Sequence, residues 1–130
     1  MINIWRLSNT ETPTETLIGE GVFTKACIIS NIHFNDAIVC GTKEGMILVW
    51  DLRNTGEEID IGVNSPMIRK MHRPCFQTDF MESGSKAHLS SIIELISVKE
   101  DEKHEVASSQ LVSLDEDGII ILWWVTWTFN

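Results

Sequence analysis

The residue types that could do chemistry in this chain are few. His88, Asp117 and a serine could form a relay in which a carboxylate orients an imidazole that takes a proton from a hydroxyl nucleophile. Such residue types occur in almost any chain, and no Gly-x-Ser-x-Gly elbow is present to expose the hydroxyl. His33, His72, Cys75 and His88 are groups that zinc accepts, but His72-x-x-Cys75 is a single pair without a second pair at ligand spacing. Gly41-Thr42-Lys43-Glu44-Gly45 has the composition of a phosphate-cradling loop. It lacks the Gly-Lys-Ser/Thr ending and lies between two apolar runs rather than ahead of a helix. The pattern points away from catalysis, so no enzymatic activity, cofactor or metal is expected.

The elements that would position these residues come in two copies. Ala37–Asp51 reads AIVCGTKEGMILVWD, and Gln110–Trp124, 73 residues later, reads QLVSLDEDGIIILWW. Gly45 falls on Gly118 and Trp50 on Trp123. Each copy is an apolar run, a polar turn ending in acid-Gly, and a second apolar run closed by Trp. A Gly able to take positive φ between two Val- and Ile-rich runs is a hairpin signal. The runs are nearly continuous in apolar residues, which predicts burial of both strand faces between packed sheets. A partial third copy, Ile2–Leu7, opens the chain 45 residues before Ile47–Leu52.

Repeats of about 40–45 residues in which Trp closes the last apolar strand signal a β-propeller of the WD type. The fold expected is all-β, a partial WD40 propeller forming an incomplete ring. It holds about two four-stranded antiparallel blades and the end strand of a third. Residues 1–18 would end one blade and 22–62 would form the next, with Ile59–Gly62 as its outer strand. Residues 63–124 would form another blade, with inserted loops at 64–87, the first of them carrying an outer strand, and 99–108, and 125–130 is an unassigned tail. WD blades commonly carry an internal set of His, Ser or Thr, Asp and Trp that satisfies buried polar groups around the turn. His88, Ser113, Asp117 and Trp123 would supply it in the later copy. The earlier copy offers only Thr42 and Trp50, with Glu44 in place of the Asp and no His ahead of Ala26. All six are read as structural.

Length and charge narrow the rest. A closed propeller needs about 4–8 blades, so 130 residues suggest a fragment or a truncated form. The net charge of −9 disfavours nonspecific binding to nucleic acid or anionic membranes, which calls for a basic surface. The longest apolar stretch, Ile119–Val125, is far short of the ~20 residues of a membrane-spanning helix, and the N-terminus lacks the pattern of a signal peptide. Cys27, Cys40 and Cys75 are widely spaced, and two of them lie inside apolar strands, which suggests reduced thiols in a cytoplasmic protein. Trp123, Trp124 and Trp127 crowd the end of the chain. Such a cluster can be a binding surface and is also what a cut through a propeller core would expose.

VWDLR at Val49–Arg53, behind a hairpin, is the WD signature itself. The stretches His33–Arg53, Met71–Phe80 (MHRPCFQTDF) and Leu111–Trp124 resemble the WD-repeat intermediate chains of cytoplasmic dynein-2, the ciliary retrograde motor. The likeness runs from about Met1 to Trp124. Met71–Phe80 carries the narrower part, because a generic WD repeat does not define that loop. The resemblance implies a non-catalytic scaffold that binds the motor heavy chain, with light chains and a second intermediate chain in the same assembly, at the cilium and its base. The alternative is a WD scaffold of another complex, such as a ubiquitin-ligase receptor or a trafficking coat. An enzyme built on a propeller would need polar groups converging at the channel mouth, where the strand ends here are mostly apolar.

An open arc of blades leaves strand edges and apolar flanks uncovered. The isolated chain is therefore expected to be poorly soluble, only partly folded, or dependent on a partner. Thermal unfolding followed by circular dichroism checks this, and a sharp cooperative transition of a monomer would contradict it.

Overall fold

In the computed structural model, residues 1–5, 14–31, 34–52, 57–60, 68–78, 88–98 and 108–126 are described. The Val- and Ile-rich runs become strands: β1 (Ile2–Ile4), β2 (Glu15–Leu17), β3 (Phe23–Asn31), β4 (Phe34–Thr42), β5 (Ile47–Asp51), β6 (Glu57–Asp60), β7 (Ile68–His72), β8 (Phe76–Gln77), β9 (Ile92–Val98), β10 (Ser108–Asp115) and β11 (Ile120–Thr126). No α-helix occurs among the described residues, and none is long and apolar enough to cross a membrane. The strands form three sheets, ordered β1-β2-β7-β6, β3-β4-β5-β8 and β11-β10-β9. All pairings are antiparallel except β2 with β7, which is parallel.

The second and third sheets share one register. Cys40 pairs with Ala26 in the second and Ser113 with Leu95 in the third. Both inner strands carry a bulge at the same point, between Phe23 and Lys25 opposite the end of β4 and between Ile92 and Glu94 opposite the end of β10. The hairpin turns match bond for bond. The Thr42 N–H donates to Met46 O at 3.0 Å, and the Asp115 N–H to Ile119 O at 3.1 Å. The Gly45 N–H donates to Thr42 O and the Gly118 N–H to Asp115 O, both at 3.1 Å. The Lys43 N–H donates to Val22 O and the Glu116 N–H to Ser91 O, tying each turn to the loop ahead of its inner strand.

Burial explains the near-continuous apolar sequence of the earlier copy. Alternate residues point to opposite faces of a strand. Ala37, Val39, Ile47 and Val49, with Ile29, pack against Ile92, Leu95 and Leu111 of the third sheet. Ile38, Cys40, Leu48 and Trp50 point the other way and pack with Leu17, Ile2 and Ile4 of the first. The second sheet is thus the filling between two others, and each fully buried aliphatic chain contributes about 1.5–3 kcal/mol.

Two expectations fail. The later hairpin is equally apolar, yet β11 is covered on one face only, its residues alternating between half-buried and exposed. Among the described residues the third sheet has a neighbour on its second-sheet side alone, so apolar content does not translate there into two-sided burial. The outer strand of the second sheet is also not Ile59–Gly62. β6 pairs with β7, and that hairpin extends the first sheet through β2. The outer edge of β5 is taken by β8, with Leu48 opposite Gln77 and Val49 opposite Phe76. A hairpin closed by neighbouring residues satisfies its backbone groups locally, and the chain then returns to cap β5 with a two-residue strand. The interval 64–87 therefore contains strand as well as loop. The inserted run 99–107 and the end of the tail, 127–130, lie outside the described residues.

Gly45 and Gly118 test how the sheets meet. Both have positive φ, +89° and +81°. A Cβ at Gly45 would come within 2.4 Å of His88 O, whereas at Gly118 it would meet nothing within 4 Å. Gly118→Ala is expected to cost only the left-handed backbone term, about 1–2 kcal/mol. Gly45→Ala should cost clearly more, because the His88 and Ser90 backbone ahead of β9 must move. Urea midpoints of the two variants compare them directly, and equal losses would refute the close approach.

Candidate functional site

The hydrogen-bonded set expected in the later copy forms around the turn that closes β10, with one substitution. Its carboxylate belongs to Asp115, not Asp117. His88 Nδ1 lies 2.7 Å from Asp115 Oδ2, His88 Nε2 lies 2.6 Å from Ser113 Oγ, and the Trp123 indole N–H donates to Ser113 Oγ at 2.8 Å. One assignment of protons serves every group. Nδ1–H donates to the carboxylate, which only accepts when ionised. The Ser113 hydroxyl donates to Nε2 and accepts from the indole. Asp115 Oδ1 accepts from the backbone N–H of Asp117 at 2.9 Å and of Ile119 at 3.0 Å. Asp117 thus enters through its main chain, and its residue is exposed at the turn.

Local sequence explains the positions. Ser113 and Asp115 are two apart on β10, so both point toward the second sheet, and Ser109 and Leu111 of the same face are buried with them. Trp123 lies opposite Leu111 on β11, close enough for its ring nitrogen to reach Ser113. His88 arrives from the segment ahead of β9. Burial pushes the Asp115 carboxyl up, but the hydrogen bonds from His88 and from the Ile119 and Asp117 amides outweigh it and hold the group below its ordinary value of 3.8.

The second sheet solves the same problem with different groups. The 73-residue offset places Thr42 on Asp115, Cys40 on Ser113 and Glu44 on Asp117. Thr42 Oγ1 accepts from the Met46 N–H at 3.0 Å, as Asp115 Oδ1 does from Ile119. Cys40 presents a buried thiol whose hydrogen bond goes to Gly41 O, at 3.3 Å. The strand pairing that aligns Ala26 with Leu95 also aligns Gly19 with His88. With no imidazole there, Trp50 covers Gly19, donates its indole N–H to Ile18 O at 3.1 Å and packs edge-on against Phe23 at 5.6 Å. Thr42 and Trp50 therefore make separate bonds rather than one chain. Glu44 Oε2 accepts from the Val22 N–H at 3.1 Å, and that bond leads the causes that lower its pKa.

Asp115 was legible, and the offset was the signal: matching the copies from Gly118 backward sets it on Thr42. Reading Thr42 as the partner of Ser113 misses by one step along the same face.

The connectivity of acid, imidazole and hydroxyl is that of a hydrolytic relay, but Ser113 and Asp115 are fully buried and the serine oxygen already accepts from Trp123. A nucleophile must reach a substrate carbonyl, and this one faces the interior. The geometry holds a turn and satisfies buried polar groups. The groups considered for zinc are dispersed. His72 Nε2 lies 3.1 Å from Glu15 Oε1, the Cys75 thiol donates to Val49 O, His88 is in the relay, and His33 lies outside the described residues. Among the described residues no cluster of three or more His, Cys, Asp or Glu could hold a metal ion. Burial pushes the thiols of Cys27 and Cys40 up to about 11. Both therefore remain protonated at neutral pH.

Ser113→Ala leaves the Trp123 N–H without its acceptor and His88 Nε2 without its donor, and is expected to cost about 1–3 kcal/mol for each orphaned group. Because the pKa of Asp115 is lower folded than unfolded, its contribution is complete above the ordinary carboxylate range. It is lost as pH falls through the folded value. Urea titrations between neutral and acidic pH should show that loss in the native protein and a smaller one in Asp115→Asn. Equal pH dependence in both would remove Asp115 from this role. Comparison of the chain with protein-family models, curated proteins and solved structures returned no match.

Proposed function

We propose that the chain is a non-catalytic WD-repeat scaffold subunit that works by presenting sheet surfaces and loops to protein partners. The observation that carries this reading is the turn lock of the third sheet, an Asp115–His88–Ser113–Trp123 chain in a register shared with the second sheet. A set of groups committed to one another supports a structural role over a reactive one. The acidic charge supports protein partners over nucleic acid.

Within that class, the resemblance to the dynein-2 intermediate chains favours binding to the motor heavy chain in ciliary retrograde transport, in an assembly with light chains and a second intermediate chain. Met71–Phe80, which carries the likeness, includes the end of β7 and all of β8, where the chain passes from the first sheet to the edge of the second. A segment that joins two sheets can carry family-specific sequence, since loops and edges vary more than cores.

Affinity capture from ciliated-cell extract with the 130-residue chain as bait, read by mass spectrometry, tests this. Enrichment of dynein-2 heavy chain over a scrambled-sequence bait is the expected result. Recovery of a ubiquitin ligase or coat complex instead would keep the scaffold and discard the narrower assignment.

A further inference from the structure

The three sheets end in six edge strands, and among the described residues five of these are blunted. β1 is three residues long and β8 two. β6 holds three acids in four residues, Glu57, Glu58 and Asp60. β3 carries Lys25 and two bulges, and β9 carries Glu94 and one bulge. Native sheets use such features to keep other chains off their edges. β11 has none of them. Its seven residues, IILWWVT, include no charge, proline or glycine. They pair with β10 without a break, from Ile120 opposite Leu114 to Thr126 opposite Ser108.

The equivalent edge of the second sheet is occupied. There the Val49 carbonyl accepts from the Cys75 N–H at 2.8 Å, and the Ile47 N–H donates to Thr78 Oγ1 at 3.2 Å. Both bonds go to the extended segment around β8, which runs antiparallel to β5. The 73-residue offset sets Ile120 on Ile47 and Leu122 on Val49. In an antiparallel ladder successive residues turn their amide groups to opposite edges. The Asp115 N–H bonds Ile119 O, so Ile121 and Trp123 serve β10, while Ile120, Leu122 and Trp124 direct their N–H and C=O groups outward. No described strand takes these groups up. The three side chains are exposed as well, on a face where Leu114 stands for Gly41 and Trp124 for Asp51.

We propose that the outer edge of β11, from Ile120 to Trp124, takes up an extended segment of a partner protein as an antiparallel fourth strand. Main-chain hydrogen bonds hold such a segment, and its alternate side chains set the specificity. The segment that fits has apolar residues opposite Ile120, Leu122 and Trp124, where they continue the row formed by Ile96, Val112 and Leu122. Running antiparallel, it brings its C-terminal end to the β10–β11 turn, where Glu116 and Asp117 are exposed. Lys or Arg belongs there. The net charge of −9 also favours a basic segment over a second copy of the chain. The proposal rests on the scaffold reading for the existence of such a partner. The edge itself is tested with a peptide alone, so its failure is distinct from failure of the capture experiment.

Equilibrium dialysis of the full 130-residue chain against labelled acetyl-Val-Thr-Val-Thr-Val-Lys-Lys is the test. Saturable binding is the expected result. N-methylation of the valines removes the donors that face β11 and should weaken binding at least tenfold. N-methylation of the threonines, whose amides face away, should leave it intact. Ile120→Pro deletes the outward N–H at the first residue of the strand, where edge strands admit proline, and should cause a similar loss. Ile28→Thr, at an exposed apolar residue of β3, should change nothing. Absence of saturable binding up to ~1 mM peptide would overturn the proposal. So would equal binding of the two methylated peptides, which would indicate attachment by side chains or charge, or an equal loss on Ile28→Thr.

Discussion

The need to satisfy buried polar groups at two hairpin turns governs this structure. Thr42 and Asp115, the polar residues that end β4 and β10, are fully buried, and a buried polar group left unpaired costs as much as the hydrogen bond it lacks. In both hairpins the residue that ends the strand answers this need. Its amide bonds across the turn and its carbonyl accepts from the glycine. Its side-chain oxygen takes the amide four residues on. The glycine adopts the positive φ that closes the loop. Once the turn is fixed, register follows, and a one-residue slip would turn every apolar side chain from the core to solvent.

From that shared turn the two sheets diverge according to their surroundings. The second sheet is covered on both faces, and Cys40 and Gly19 stand where the third has Ser113 and His88. Its tryptophan is fully buried and needs a single acceptor, which the Ile18 carbonyl provides. The third sheet is covered on one face. There the tryptophan is tied to a serine, an imidazole and a carboxylate, and the carboxylate is in turn tied to the turn amides. Apolar contact from both sides orders the first arrangement, while a closed polar chain orders the second. Such chains hold a unique geometry only when every member is partnered, as the four side chains here are.

Much of this was legible in the residues. The two copies, the glycine turns and the closing tryptophans all follow from spacing and type, because hairpins are local structures. His88, Ser113 and Trp123 are legible for the same reason, since each lies at a fixed distance from the Gly118 turn. Asp115 was missed in favour of Asp117, because both are acidic and flank one turn; only the alignment with Thr42 separates them. The exchange at the sheet edges could not be read. β8 is two residues long and carries no alternation, and the parallel pairing of β2 with β7 joins segments more than fifty residues apart. Pairing over such distances is decided by which edges are vacant when the chain returns, and no local pattern records that.

The open face of the third sheet shows where hydrophobic pattern loses its predictive force. Apolar residues on both sides of a strand state that both sides are suited to burial, not that both are buried within the chain. At Ile47 and Val49 the third sheet completes the burial; at Ile120 and Leu122 it is left incomplete. The substitutions that distinguish the faces run toward greater bulk and less charge, leucine for glycine and tryptophan for aspartate. The strand pairs that order the interior also set the cross-strand rows of this face, with Ile96, Val112 and Leu122 at its centre.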